Sequence, residues 1–272
     1  MSDGDQDIVT PMRNIYFDLT EELNSEGPIA VLASGQAVVF YRLALMSKDG
    51  DWILRETPEA CRRALAVLEK HGARYRPGAP LDVRWLGGGW SSHFELNDSQ
   101  SRRVRCDFFS RPPRIRPDEV AALFSPQAKP DRLRVVGLEP LIRMKQTQRA
   151  KDYPVIGELA RLLPPEREIE LTTDPDRILD LAPVVGKDSE RLPVKAALSG
   201  SREGVVVALA REGDRLQQED RARLDKYRVA AEVYLREFQA ARIGELALPE
   251  AHRRICEIAE RYLPHDPTVS KG

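Results

Sequence analysis

The chain has 272 residues, enough to bury a substantial core as one large domain or as a main domain with an appendage. Its 42 basic and 43 acidic residues leave a net charge of -1, so overall charge decides nothing about nucleic acid and partners must be read from local sites. The longest apolar runs, residues 29–33 and 205–210, are far shorter than the roughly 20 residues of a membrane helix, and three scattered cysteines, Cys61, Cys106 and Cys256, form no Cys-x-x-Cys pair, which disfavours a disulfide framework and a structural zinc site.

The acidic opening Met1-Ser2-Asp3-Gly4-Asp5 lacks a basic then apolar stretch, so no secretory signal is expected and the protein is read as cytoplasmic. Residues 29–33 predict a short buried strand, Ser34-Gly35 a tight turn, and residues 37–41 a buried helix entered through that glycine. Residues 51–55 predict a second strand. Thr57-Pro58 then opens a helix with threonine as N-cap and proline at its first position; Cys61, Leu65 and Leu68 give it one apolar face, and Gly72 ends it. Residues 83–86, 93–96 and 104–109 predict three more strands, separated by Gly87-Gly88-Gly89, expected as a flexible loop, and by Asn97-Asp98-Ser99, a hairpin turn. Arg111 to Pro117, rich in proline and arginine, is expected to be a basic extended loop.

After a further strand over residues 133–136 the pattern turns helical, with Leu138, Leu141, Ile142 and Lys145 on one stripe. Asp152 is expected to cap the next helix, which carries Pro154 near its start and stops at Pro164-Pro165. A boundary is placed near residue 165, dividing a domain over 1–165 from a helical C-terminal region over 166–272. That region includes a loop at 199–204, a long helix through Leu224, Tyr227, Ala231, Tyr234 and Phe238, a last helix through Ile255, Ile258 and Tyr262, and frayed residues after Pro264. The fold class expected is α+β.

Asp49-Gly50-Asp51 lies directly before a strand, and alternation sends both carboxylates to one face if both residues are extended. Magnesium takes oxygen ligands, usually one or two carboxylates completed by water and substrate phosphate, so such a pair suits phosphoryl or nucleotidyl transfer. Asp-x-Asp also occurs at Asp3/Asp5, Asp5/Asp7 and Asp174/Asp176, but only the pair at 49 and 51 follows strand, glycine turn and helix and leads into a strand. Ser34-Gly35-Gln36 offers backbone N–H groups to phosphate near a helix N-terminus. Asp107, a charge in the otherwise apolar strand Cys106-Asp107-Phe108-Phe109, needs a partner or a metal, and turned toward Asp49 and Asp51 it would either bind a second metal or act as the catalytic base that accepts a proton from an attacking hydroxyl. His93 has no second ligand nearby in sequence and is read as structural. Arg102, Arg103, Arg105, Arg111, Arg114 and Arg116 are dense enough to contact RNA phosphates, although neighbouring acids favour a solvated edge.

The order Leu32-Ala33-Ser34-Gly35-Gln36-Ala37, Ser47-Lys48-Asp49-Gly50-Asp51, Val104-Arg105-Cys106-Asp107 and then residues 138–152 resembles the minimal nucleotidyltransferase superfamily, particularly its bacterial and toxin-type members, over roughly residues 28 to 163. The resemblance implies a mixed sheet flanked by helices. It implies nucleotide phosphates at Ser34, Gly35 and Gln36, magnesium or manganese at Asp49, Asp51 and Asp107, and support from Lys145, Arg149, Lys151 and Asp152. The implied activity is metal-dependent transfer of a nucleotide from a nucleoside triphosphate to an acceptor, whether RNA, protein or small molecule, and toxin–antitoxin pairing is the implied setting. The sequence departs from the family pattern at Ser34, often glycine, and at Leu45, where an arginine often stands. Those departures, with the large C-terminal region, motivate an alternative: a catalytically degenerate member that binds protein or RNA through its helical region.

Overall fold

The computed structural model describes residues 14–125 and 132–268. The acidic first residues, with Asp3, Asp5 and Asp7, therefore lie outside the described residues. β1 (Ala30–Ala33) is buried at all four positions and runs straight into α2 (Ser34–Phe40), after α1 (Ile15–Leu23). β2 (Asp49–Leu54) begins two residues before the expected strand, so both aspartates of the pair are extended. α3 (Pro58–Lys70) starts as expected: the Thr57 hydroxyl accepts the Ala60 N–H at 3.2 Å, satisfying one of the helix's unpaired donors. β4 (Ser91–Asn97) and β5 (Arg103–Phe109) form the expected hairpin.

Two expectations are corrected here. Residues 83–86 are not a strand but a one-turn helix, α4, in which the Asp82 carboxylate caps the Arg84 N–H at 2.9 Å. Trp85 and Leu86 are both fully buried, which a half-buried strand with alternating sides cannot achieve for consecutive residues. The missing strand is β3 (Arg74–Arg76), hidden because an Arg-Tyr-Arg edge of three residues has almost no apolar signal. Nor is Gly87-Gly88-Gly89 a loose loop: Gly88 packs on the backbone of His265, and its carbonyl accepts the Tyr227 hydroxyl at 2.8 Å. The residues just after Pro264 are correspondingly held in place, with the Trp90 indole donating to the Pro264 carbonyl at 2.9 Å.

The sheet is mixed, ordered β1-β2-β5-β4-β3, with β2 and β5 parallel and the other pairs antiparallel. Beside β1, residues 133–136 contribute only an isolated parallel bridge from Val135 to Leu32, not a strand of their own. The loop from Arg111 stays irregular up to Arg116, but Pro117 opens a helix, α5 (Pro117–Ala122), that the sequence reading did not include. Then come α6 (Leu138–Lys145), α7 (Tyr153–Ala160), α8 (Pro165–Leu171), α9 (Pro175–Val185), α10 (Leu192–Leu198), α11 (Arg202–Ala240) and α12 (Leu248–Tyr262). The architecture is thus α+β with a long helical C-terminal region, and no described helix is long and apolar enough to cross a membrane.

Apolar side chains gather in three clusters. One face of the sheet, with Trp52, Phe94, Cys106 and Phe108, packs with α1, α3, α12 and the end of α11. The opposite face near β1, with Val31, Ala33 and Ile53, packs with α2, α5, α6 and α7. The third joins α8, α9, α10 and the start of α11. At 39 residues, α11 is about 58 Å long, and it links the third cluster to the first.

Candidate functional site

Strand alternation builds the site. In β2, Gly50 and Trp52 turn into the first cluster, and Asp49 and Asp51 turn to the other face. Gly50 must be glycine, since a Cβ there would collide with the rings of Tyr16 and Trp52. Register then sets Asp51 beside Asp107, Asp107 beside His93, and His93 beside Arg76. One row of polar residues therefore crosses four strands. The row before it runs Asp49, Arg105, Glu95, Arg74.

Within the first row, Asp107 Oδ1 receives His93 Nδ1 at 2.9 Å and Arg76 Nη1 at 3.4 Å. Asp51 is pushed up to about 6, first by burial and then by the Asp107 carboxylate, while a hydrogen bond with the Ser34 side chain works in the opposite direction. Ser34 itself has φ of +51°, the left-handed region that glycine enters without strain. The turn so keeps a glycine-like backbone despite the serine, and that conformation comes with the serine's hydrogen bond to Asp51.

Asp51 and Asp107 line a cleft of about 710 Å3, and residues of α11 from Asp220 to Leu235 line it with them. Asp49 faces elsewhere: its side chain, 42% exposed, lies 3.5 Å from Arg105 and lines a neighbouring hollow with Lys48 and Arg102. The pair on β2 thus serves two different hollows, though Asp49 still acts on Asp51 through its charge.

The remaining expected residues fall as follows. Gly35 lets α2 approach Ser47, whose hydroxyl a Cβ would overlap. Gln36 is buried, its amide N–H donating to the Ser47 carbonyl at 2.9 Å and its oxygen accepting from Asn14 at 3.1 Å. Lys145 is buried with its ammonium 3.8 Å from Asp152, and burial lowers its pKa against the pull of Asp152 and Asp51. Asp152 precedes α7 as expected but does not cap it with its side chain, because its carboxylate faces Lys145 and, at 3.6 Å, Arg149. Lys151 is exposed.

The arginine run does not act as a unit. Arg102, Arg103 and Arg105 pair with Asp98, Glu95 and Asp49, Arg111 with Glu56, and Arg116 with Asp118. Arg114 instead braces α11, its guanidinium donating to the carbonyls of Gln146 and Leu216, both at 2.8 Å.

Sequence reasoning missed Arg76, His93 and the α11 wall. For His93 a signal existed: Ser91, His93 and Glu95 alternate with the buried Ser92, Phe94 and Leu96, which assigns the histidine to a polar face. What that face meets depends on register.

Among the described residues, no group of three or more His, Cys, Asp and Glu side chains is arranged to hold a metal ion. Magnesium does not require one, since it commonly takes one or two carboxylates and completes its shell with water and substrate phosphate. Asp51 beside Asp107 is a donor pair of that kind: oxygen only, adjacent in register, with proton affinity at Asp51 raised by the second charge.

No protein-family model matches the sequence, and no curated protein matches it significantly. Two solved structures from Helicobacter pylori are similar. One, the protein JHP933, is 13% identical, with 78% of this chain and 93% of that one covered at a TM-score of 0.39. The other, described as a proposed nucleotidyltransferase, is 14% identical, with 76% and 96% covered at a TM-score of 0.38. Likenesses this remote leave the activity to be argued from the site.

Proposed function

We propose that the protein is a metal-dependent nucleotidyltransferase that moves a nucleotide from a nucleoside triphosphate to an acceptor hydroxyl in the cleft above Asp51 and Asp107. The observation that carries this reading is the adjacent placement of these carboxylates at a cleft, with Asp51 raised to about 6 by burial and by Asp107. A site that holds negative charge at a cost to itself is suited to a cation.

In this reading Asp51 and Asp107 hold magnesium or manganese, and Asp49 adds its charge from the neighbouring hollow. The bound ion supplies neutralisation of the triphosphate and of the charge that develops on the leaving pyrophosphate. Ser34 orients the Asp51 carboxylate. His93 and Arg76 engage Asp107 Oδ1, which leaves Oδ2 for the ion, and the acceptor hydroxyl gives its proton to water as its oxygen bonds to the α-phosphorus and the bond to pyrophosphate breaks. Most of the acceleration would come from alignment and charge neutralisation.

A second reading, a binding module that keeps this architecture without catalysis, is favoured by one observation: Asp107 and Asp49 already face Arg76 and Arg105. Calorimetric titration of each nucleoside triphosphate with magnesium separates the two. The expected result is binding that needs magnesium and is lost in Asp51→Asn and Asp107→Asn. Folded wild type that binds no triphosphate would exclude the transferase.

A further inference from the structure

We propose, building on that reading, that α11 supplies the wall that receives the nucleotide's phosphates, through Arg223 and Arg228, with Arg149 on the loop after α6. The glycine turn is poorly placed for the task. Ser34, Gly35 and Gln36 do not line the cleft that holds Asp51 and Asp107, and Gln36 lines the neighbouring hollow. The three arginines instead share one cleft with Asp51 and Asp107.

Helical spacing produces the wall. Asp220, Arg223, Tyr227 and Ala231 recur every three or four residues and all line the cleft, so they occupy one face of α11, with Arg228 beside them. Both ends of the helix are fixed, Val205 in the third apolar cluster and Tyr234 and Phe238 in the first. Two clamps hold the middle against the loop after α6: Asp220 accepts the Gln148 N–H at 3.1 Å, and Arg114 donates to Gln146 and Leu216. Arg149 is thereby kept beside α11.

The guanidinium groups are held but not saturated. Arg223 is set by Asp220 at 2.8 Å. Arg228 meets Asp225 at 3.3 Å with both side chains about 70% exposed, and Arg149 is 3.6 Å from Asp152. The Arg228–Asp225 pair is exposed on both sides and worth little, so Arg228 loses little by turning to a phosphate, and the planar fork of arginine matches phosphate oxygens. A cleft lined by two carboxylates and three arginines fits a ligand with a metal-binding phosphate and further phosphates beside it.

The test uses the full chain and calorimetry with ATP, GTP, CTP and UTP in magnesium, followed by the diphosphate and nucleoside of whichever binds most tightly. Arg228→Glu and Arg149→Glu alter exposed side chains, and thermal melts check that each variant folds; Arg223→Gln is the third variant. Each is expected to weaken triphosphate binding about tenfold or more while nucleoside binding stays within about twofold, so that the preference for triphosphate collapses. If binding depends on Asp51 and Asp107 but is unchanged in all three arginine variants, the wall is wrong and the transferase reading stands. If folded wild type binds no nucleotide, both fall.

Discussion

At Asp51 the demands of folding and of the proposed chemistry conflict. Burial, and then Asp107, raise its carboxyl from 3.8 to about 6, so the folded protein retains a proton that the unfolded chain has already released. Where the native state binds more protons than the unfolded state, stability falls as pH rises. The loss begins above the unfolded value near 4 and is complete above about 6. In buffer with EDTA, Asp51→Asn is therefore expected to change the melting temperature little near pH 4 and to raise it at pH 8. The gain is at most about 3 kcal/mol, the scale of a two-unit shift at about 1.4 kcal/mol per unit. Magnesium should stabilise the wild type and not the variant. A variant that melts lower at pH 8 would show that the carboxylate is not the costly group. The sequence marked a cost of this kind at Asp107, a charge in an otherwise apolar strand, but not at Asp51, because Asp107 reaches Asp51 only through pairing of β2 with β5.

At the scale of elements, β2 shows how one short segment satisfies both faces of a sheet. Its two outward aspartates depend on the inward residue between them having no side chain. Gly50→Ala is expected to destabilise the protein by about 1–3 kcal/mol, the range for forcing an extra carbon into a packed core, because its Cβ would meet the rings of Tyr16 and Trp52. Urea denaturation measures this directly, and an unchanged midpoint would mean that the rings move aside freely. Elements with strong local signals were read correctly: the apolar run of β1, the Thr57-Pro58 start of α3, and the Leu138 to Lys145 stripe of α6. The failures at 74–76 and 83–86 share a cause. Both segments are too short for periodicity to separate strand from helix, and what decides them is the edge of the sheet and the packing of Trp85.

For the whole molecule the main question is how the helical C-terminal region relates to the sheet. The sequence suggests a division near residue 165, but Ala231, Tyr234, Phe238, Ile255 and Ala259 are buried in the same apolar cluster as Trp52 and Phe108. A chain ending at residue 165 would leave that surface uncovered. It is expected to lack a cooperative thermal transition and to bind a dye for exposed apolar surface; a sharp transition would establish an independent domain. The same packing places α11 along the cleft that Asp51 and Asp107 line, so the region after residue 165 borders the cleft as well as the core.

The sequence by itself determined the α+β class, the strands β1, β2, β4 and β5, the helices α2, α3, α6, α7 and α12, the placement of the Asp49 and Asp51 pair at the entry to a strand, and the long C-terminal helix. These follow from local rules: alternation, helical periodicity and cap chemistry act over a few residues and are written in order along the chain. Only the tertiary structure decided that Asp51 and Asp49 face different hollows, that His93 and Arg76 hold Asp107, and that Arg223 and Arg228 line the same cleft as Asp51 and Asp107. Each of those facts depends on strand register or on where a helix crosses the sheet. Both are set by burial of apolar surface between segments far apart in the chain, and no local spacing records that.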